Sequence, residues 1–278
     1  MHKNFYDQQL ERVNTAKLRY IEIYPLSGMP QLIAGFTTRF GGVSQGDYAT
    51  LNLNFNRPEP LENVRENYRL LSEDLNIPLN NMVLSHQTHT NNVMVVTKEH
   101  GGMGIIRPRT YTDIDGILTS ESNLMLVTLY ADCVPIYFFD PVKKVIGLSH
   151  SGWRGTVKNI GGQTIKKMVS EYGSDPSDIH VSIGPHIRDC CFEVGSEVVK
   201  EFWDNFSFAP SYIKPKSEDK WVIDLEGIIF ECLIRQGVDK KRIYGCSICT
   251  RCNKDTFFSH RGSGGKTGTG AAFLMIRG

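Results

Sequence analysis

Short apolar blocks alternate with polar connections along the whole chain. Leu124 to Leu129, Val134 to Phe139 and Val145 to Leu148 are rich in Val, Ile, Tyr and Phe and are bounded by turn residues, which is how buried central strands read. Tyr20 to Tyr24 alternates apolar and polar positions and predicts a strand with one solvent-facing side. Leu32 to Thr37, Val83 to Ser85, Val93 to Val96, Ile179 to Ile183, Arg242 to Ile248 and Ala271 to Ile276 predict further strands. Leu61, Val64, Tyr68, Leu71 and Leu75 recur at three- and four-residue spacing, so a helix is predicted over 59–76, stopped by Pro78. Val157, Ile160, Ile165, Met168, Val169 and Tyr172 trace one side of a second helix that ends near Gly173. Two more are predicted over 195–206 and 224–236, the latter with Asp224 as N-cap and Gly237 just past its end. No Pro/Ser-rich linker, charge block or repeat interrupts this alternation. One α/β domain over residues 1–278 is expected, with mixed sheets covered on the outside by helices.

Composition narrows the partners. Among 278 residues, 31 basic side chains face 30 acidic ones, and a formal charge of +1 provides no electrostatic footprint for nucleic acid or an anionic membrane. A small polar substrate is expected instead. The stretch MHKNFYDQQLERVNT lacks the apolar core of a signal peptide, and no apolar run approaches the ~20 residues that span a bilayer, so a cytoplasmic protein is expected. Seven cysteines, an odd number lying mostly in apolar or strand-like surroundings, suit reduced thiols. Adjacent Cys190 and Cys191 cannot readily adopt the usual disulfide geometry with each other, and a structural role is expected for them.

Three positions stand where buried strands end. Cys133 falls at the break after the first central run, His150 at the end of the third, and Leu84-Ser85-His86-Gln87-Thr88-His89-Thr90 supplies two histidines upstream. Cys133, His150 and one of those histidines would offer zinc three protein ligands and one open position. Asp115-Gly116 reads as a turn, or as a carboxylate near the same pocket that orients a histidine or binds ribose hydroxyls. Ser151 to Gly155 begins a helix, and its unpaired N–H groups together with Arg154 make a candidate anion site. Trp153 there packs against the protein or stacks on a base.

The segments HQTH, ADCVPI and HSGWRGT, in that order and spacing, resemble the signature of the laccase-like multicopper polyphenol oxidase family. Phe36 to Ser44, Cys249-Thr250 and Phe257 to Arg261 match its pattern as well, so the likeness covers nearly the whole chain. Despite that name, members are understood as zinc-dependent purine nucleoside enzymes. The resemblance implies a single domain of layered α/β/β/α architecture, a fold class shared with the catalytic domain of cytotoxic necrotising factor. It selects His89 over His86 and makes His89, Cys133 and His150 the metal ligands; Asp132, beside Cys133, is counted with the catalytic group as a neighbouring carboxylate. It places Arg39 and Arg261 on phosphate and Cys249 in the substrate pocket, where Arg154 and Asp115 are added as candidates from their own positions. The implied reaction is phosphorolysis of adenosine, inosine, guanosine and methylthioadenosine, with inorganic phosphate as co-substrate, together with adenosine deamination. His260 and Gly262 depart from the family pattern, which has tyrosine and a second arginine there.

Other readings attach to the same residues. Copper would accept this imidazole and thiolate set. A multicopper phenol oxidase, however, needs several close histidine pairs, and of eight histidines only His86 and His89 are near neighbours in sequence. Cys133 as nucleophile with His150 as base would make a metal-free cysteine hydrolase, the chemistry by which some relatives are thought to edit peptidoglycan precursors. A purely structural zinc module would want a fourth protein ligand. Two motifs near the end are read as decoys. Cys246, Cys249 and Cys252 have Cys-x-x-Cys-x-x-Cys spacing, but no fourth cysteine follows, and along a strand Cys249 would face away from the other two. Arg261 to Gly268 ends like a phosphate-binding loop, yet His260 stands where its first glycine is required.

Overall fold

The computed structural model describes residues 2–278. Helix α1 (His2–Ala16) leads into strands β1 (Tyr20–Glu22) and β2 (Leu32–Thr37), followed by α2 (Leu61–Leu75), β3 (Met82–Leu84) and β4 (Val93–Val95). The central strands are β5 (Gly116–Thr119), β6 (Met125–Tyr130), β7 (Val134–Asp140) and β8 (Val145–Ser151). Next come α3 (Trp153–Val157), α4 (Ile160–Tyr172), β9 (His180–Ile183), β10 (Glu193–Val194), α5 (Ser196–Asn205), β11 (Ile213–Ser217) and β12 (Lys220–Ile223). Helix α6 (Leu225–Arg235), β13 (Ile243–Gly245) and β14 (Gly270–Ile276) complete the chain.

Two mixed sheets face each other. The first has the order β1-β2-β14-β6-β3 and the second β13-β9-β7-β8-β5-β4, while β10, β12 and β11 form a small third sheet. Strand alternation sorts the side chains into layers. Tyr137 and Phe139 of β7 and Ile146 and Leu148 of β8 point toward Leu126, Ala272 and Leu274 of the first sheet. Ile136 and Phe138 point the other way, onto Ile165 and Met168 of α4 and Ile228 and Ile229 of α6. The outer face of the first sheet, with Val127 and Phe273, is covered by Val64, Tyr68 and Leu71 of α2. The result is the layered α/β/β/α arrangement that the family likeness implies. Tyr130 and Tyr137 cross between the sheets, donating hydroxyl hydrogen bonds to the Ser149 and Gly35 carbonyls at 3.1 and 2.8 Å.

Four local departures from the predicted elements have physical causes. β8 runs on through His150 to Ser151 because Ser151 pairs with Val134, His150 with Pro135 and Ser149 with Gly116, contacts that no local apolar pattern reports. The helix predicted from Val157 is two helices. Asn159 takes a left-handed φ of 54° and caps α4 by accepting from the Gly162 N–H, so α3 stops short of it. The strand predicted over 242–248 ends at Gly245, and Ser247, at φ 59°, turns the chain away. Helix α1, with little periodic signal, is held by Tyr6 and Val13 in the core between the sheets.

Candidate metal and nucleoside site

β6 ends in the first sheet and β7 begins in the second, so Ala131-Asp132-Cys133 is the crossing between layers. Cys133 stands there, beside His150 at the end of β8. The His89 loop arrives between β3 and β4, and the His89, Cys133 and His150 donor atoms all lie within 4.8 Å of one another. Cys133 Sγ is 4.0 Å from His89 Nε2, and the two imidazole rings are 5.0 Å apart at a steep angle. Gly152 makes the approach possible: a Cβ there would sit 2.8 Å from His89 Cδ2 and 3.1 Å from Cys133 Sγ.

One buried carboxylate holds both histidines. Asp115 Oδ1 accepts from His150 Nδ1 at 2.8 Å and from the His89 backbone N–H at 3.1 Å. Its Oδ2 accepts from the N–H groups of Thr88 and Thr90 and from the Thr90 hydroxyl. Such a nest of donors compensates a charge withdrawn from water and keeps His89 at its left-handed φ of 64°. Gln87 anchors the same loop to β6, donating to the Leu129 carbonyl and accepting from the Leu129 N–H, both at 2.7 Å. His86 is not part of the donor group, its Nδ1 accepting from the Asp113 N–H.

The charges follow from this packing. Burial alone would raise the Asp115 pKa, but the hydrogen bond and charge of His150 and the Thr90 donors outweigh it and hold the group at about 2. Burial would likewise raise the Cys133 thiol, yet the His150 charge and hydrogen bonds from both histidines bring it down to about 6. His150 loses basicity to burial and regains more from the Cys133 thiolate and Asp115, reaching about 9. Without metal the arrangement is a thiolate–imidazolium–carboxylate relay. With Nδ1 committed to Asp115, His150 keeps Nε2 for a metal. A zinc ion bonded at about 2.0–2.3 Å wants its donors roughly 3.3–3.8 Å apart, so the set fits after a small contraction.

The triad opens into a cavity of about 850 Å³. Asp132, Arg261, Trp153 and His260 line it with Gln87 and His86. Asp132 adopts φ 90°, held there because its Oδ1 accepts from the Thr250 hydroxyl and its Oδ2 from the Arg261 N–H, both at 2.7 Å. These two bonds brace the turn that presents Cys133 while Asp132 stays in the cavity lining. Asp115 is fully buried behind His150 and orients it instead of touching the cavity. Arg39 lies outside, in a second hollow with Gly262 and Lys266, and donates to the Ala49 and Lys254 carbonyls at 2.9 Å each. Arg154 is also outside the lining, its guanidinium 4.2 Å over the Trp153 ring. Cys249 is buried away from the cavity, its sulfur near those of Cys190, Cys191 and Cys252.

Besides Arg261, which the sequence reading named, four arginines that it passed over line the cavity: Arg57, Arg65, Arg107 and Arg109. Arg57, Arg107 and Arg109 sit in irregular segments without hydrophobic periodicity, and Arg65 lies on the polar face of α2, where the apolar stripe does not mark it. Arg107-Pro108-Arg109, after a glycine-rich stretch, was the available signal.

A layered α/β/β/α fold with a two-histidine, one-cysteine centre at the crossing between its sheets describes a class of candidate metalloenzymes. The family model described as multi-copper polyphenol oxidoreductase laccase matches residues 33–277, and the chain belongs to that family. It is 35% identical over 248 residues to the purine nucleoside phosphorylase YlmD of Bacillus subtilis, covering 89% of each chain. It is 32% identical to the human purine nucleoside phosphorylase LACC1, covering 88% of this chain and 56% of that one. Among solved structures, YlmD from Geobacillus stearothermophilus superposes with a TM-score of 0.87 at 33% identity, covering 94% of this chain and 97% of that one. The Bacillus licheniformis protein YfiH gives 0.89 at 31% identity, covering 93% and 97%. No helix among the described residues is long and apolar enough to cross a membrane.

Proposed function

We propose that the chain is a zinc-dependent purine nucleoside phosphorylase acting on adenosine, inosine, guanosine and methylthioadenosine, with adenosine deaminase activity. The observation that carries this reading is the convergence of His89, Cys133 and His150, oriented by Asp115, on a cavity of nucleoside size lined by arginines. The family relatives named as purine nucleoside phosphorylases support the substrate class. Zinc bound by the three donors would supply a Lewis acid to substrate or water.

The protein's own groups supply the rest. Asp115 fixes the His150 ring and His89 loop, so the donor set needs little rearrangement. Arg57 and Arg109 offer guanidinium groups to phosphate, Arg57 donating to the Thr269 hydroxyl at 3.3 Å and Arg109 to the Leu84 carbonyl through Nε at 3.0 Å. Arg39 and Arg154 are left out of this role because neither lines the cavity. A phosphate so held opposes the positive charge that grows on ribose as the glycosidic bond breaks. Trp153 and Phe192 present flat apolar faces for the base.

A second reading rests on the relay itself: Cys133 near 6, His150 near 9 and Asp115 on Nδ1 are what a cysteine hydrolase requires. A copper cluster is not favoured, because among the described residues this is the one group of three donors that contains histidine. One experiment separates them. Adenosine, inosine and methylthioadenosine are followed by chromatography with and without phosphate, in zinc-loaded and chelated protein, with Cys133→Ala as control. Phosphate-dependent release of base that tracks zinc and falls at least about 10³-fold in Cys133→Ala supports the phosphorylase. No turnover of any nucleoside by zinc-loaded protein rejects it.

A further inference from the structure

Four of the seven cysteines come together on the far side of the cavity wall. The sulfurs of Cys190, Cys191, Cys249 and Cys252 all lie within 4.8 Å of one another. Cys252 Sγ is 3.7 Å from Cys190 Sγ and 3.4 Å from Cys191 Sγ. A strand through 242–248 would have set Cys249 opposite Cys246 and Cys252, but Cys249 and Cys252 converge and Cys246 is the one left out of the group. The turn after Ser247 swings Cys249 and Cys252 onto the adjacent pair about 60 residues earlier.

We propose that Cys190, Cys191, Cys249 and Cys252 form a second metal site, a closed mononuclear tetrathiolate that takes zinc. Four thiolates bonded to one zinc at about 2.3 Å stand about 3.8 Å apart, close to the 3.7 and 3.4 Å seen here, whereas a disulfide would need about 2.05 Å. Four sulfurs complete the coordination shell, so this site is structural, in contrast to the three-donor site with its open position. Binding exchanges four thiol protons for one Zn²⁺ and leaves a net charge of about −2 at the centre. Arg251 already answers that charge, its Nη1 donating to Cys191 Sγ at 3.3 Å. Cys190 and Cys252 reach solvent, which leaves a route for the metal, while Cys191 and Cys249 are buried.

The place of the cluster explains its use. Ile187 and Phe192, which flank Cys190 and Cys191, line the nucleoside cavity. Thr250, next to Cys249, donates to Asp132, and the Ile187 N–H donates to the Asp132 carbonyl at 2.9 Å. A metal joining the two segments would clamp the cavity wall and the turn that presents Cys133.

The test counts metal. Protein purified under reducing conditions and loaded with zinc should hold about two ions per chain in the wild type. It should hold about one in a His89→Ala/Cys133→Ala double variant, and about one in Cys190→Ser/Cys252→Ser. Cobalt bound to the His89→Ala/Cys133→Ala variant should show intense visible absorption and thiolate charge transfer from an all-sulfur site. In unmutated protein, zinc should protect all four cysteines from iodoacetamide as read by peptide mass spectrometry, so the conclusion does not depend on the variants folding. A single zinc per wild-type chain with these four thiols alkylated, or a disulfide between Cys252 and Cys190 or Cys191 in the reduced preparation, overturns the proposal. Neither outcome bears on nucleoside turnover, which the first site governs.

Discussion

The histidine–thiolate centre and the four-cysteine cluster meet at Asp132, and they are built in opposite ways. At the first, the donors end or flank central strands: β7 and β8 are buried on both faces, and Asp115 ties the His89 loop to the His150 ring. At the second, two loops bring the sulfurs together, two of the four are exposed, and the hydrogen bonds among them come from sulfur and a single guanidinium. The first is organised by the protein before any ligand arrives; the second awaits the ligand to organise it. Preorganisation by a packed core keeps an open coordination position open, whereas a closed tetrathiolate needs only that its loops reach.

The strongest way to break this contrast is Asp115→Ala, which strips partners from His150, three backbone N–H groups and the Thr90 hydroxyl. Stability should fall by about 3–5 kcal/mol in urea unfolding, and zinc affinity at the first site by about 10–100-fold against a competing chelator. Unchanged affinity would mean that the three donors organise themselves. Gly152→Ala should come next. Its added methyl would press on His89 and Cys133, so kcat/KM should drop about 10²-fold while urea stability falls by only about 1–3 kcal/mol. A loss of stability without a loss of rate would show that the crowding is relieved away from the site.

pH sharpens the comparison. The thiolate is the form that reacts, so alkylation of Cys133 in metal-free protein should rise through pH about 6 and be level by neutrality. A midpoint near that of an ordinary thiol would remove the relay. The smallest effect is expected for Cys252→Ser, which touches nothing in the cavity. kcat/KM should stay within about threefold while Tm falls by about 2–4 °C for each kcal/mol that the clamp contributes. A Cys252 variant as inactive as Cys133→Ala would place both clusters in one catalytic unit.

Much of the fold was legible because it rests on short-range regularities. Central strands read as Val/Ile/Phe blocks, α2 as a heptad-like stripe ending at left-handed Asn76 before Pro78, and α6 through Asp224, whose side chain does accept from Gly227 N–H. Family membership was legible through HQTH, ADCVPI and HSGWRGT, segments in which a few spaced residues carry the pattern. The departures are also instructive. The end of β8, the break at Asn159 and the helix α1 depend on partners distant in sequence or on one backbone angle, and neither leaves a periodic trace.

What the sequence determined by itself was the alternation of strands and helices and the presence of a cysteine and histidines at strand ends, since alternation and strand-end chemistry are local properties; the layering came only through the family likeness. Tertiary structure alone decided what those groups do. It buried Asp115 behind His150 instead of beside a sugar, kept Arg39 and Arg154 out of the cavity and brought Arg57 and Arg109 in. It also carried Cys249 away from the cavity to Cys190 and Cys191. Each outcome is set by the packing of segments far apart along the chain, where the energy of a contact depends on position in space and no spacing in the sequence encodes it.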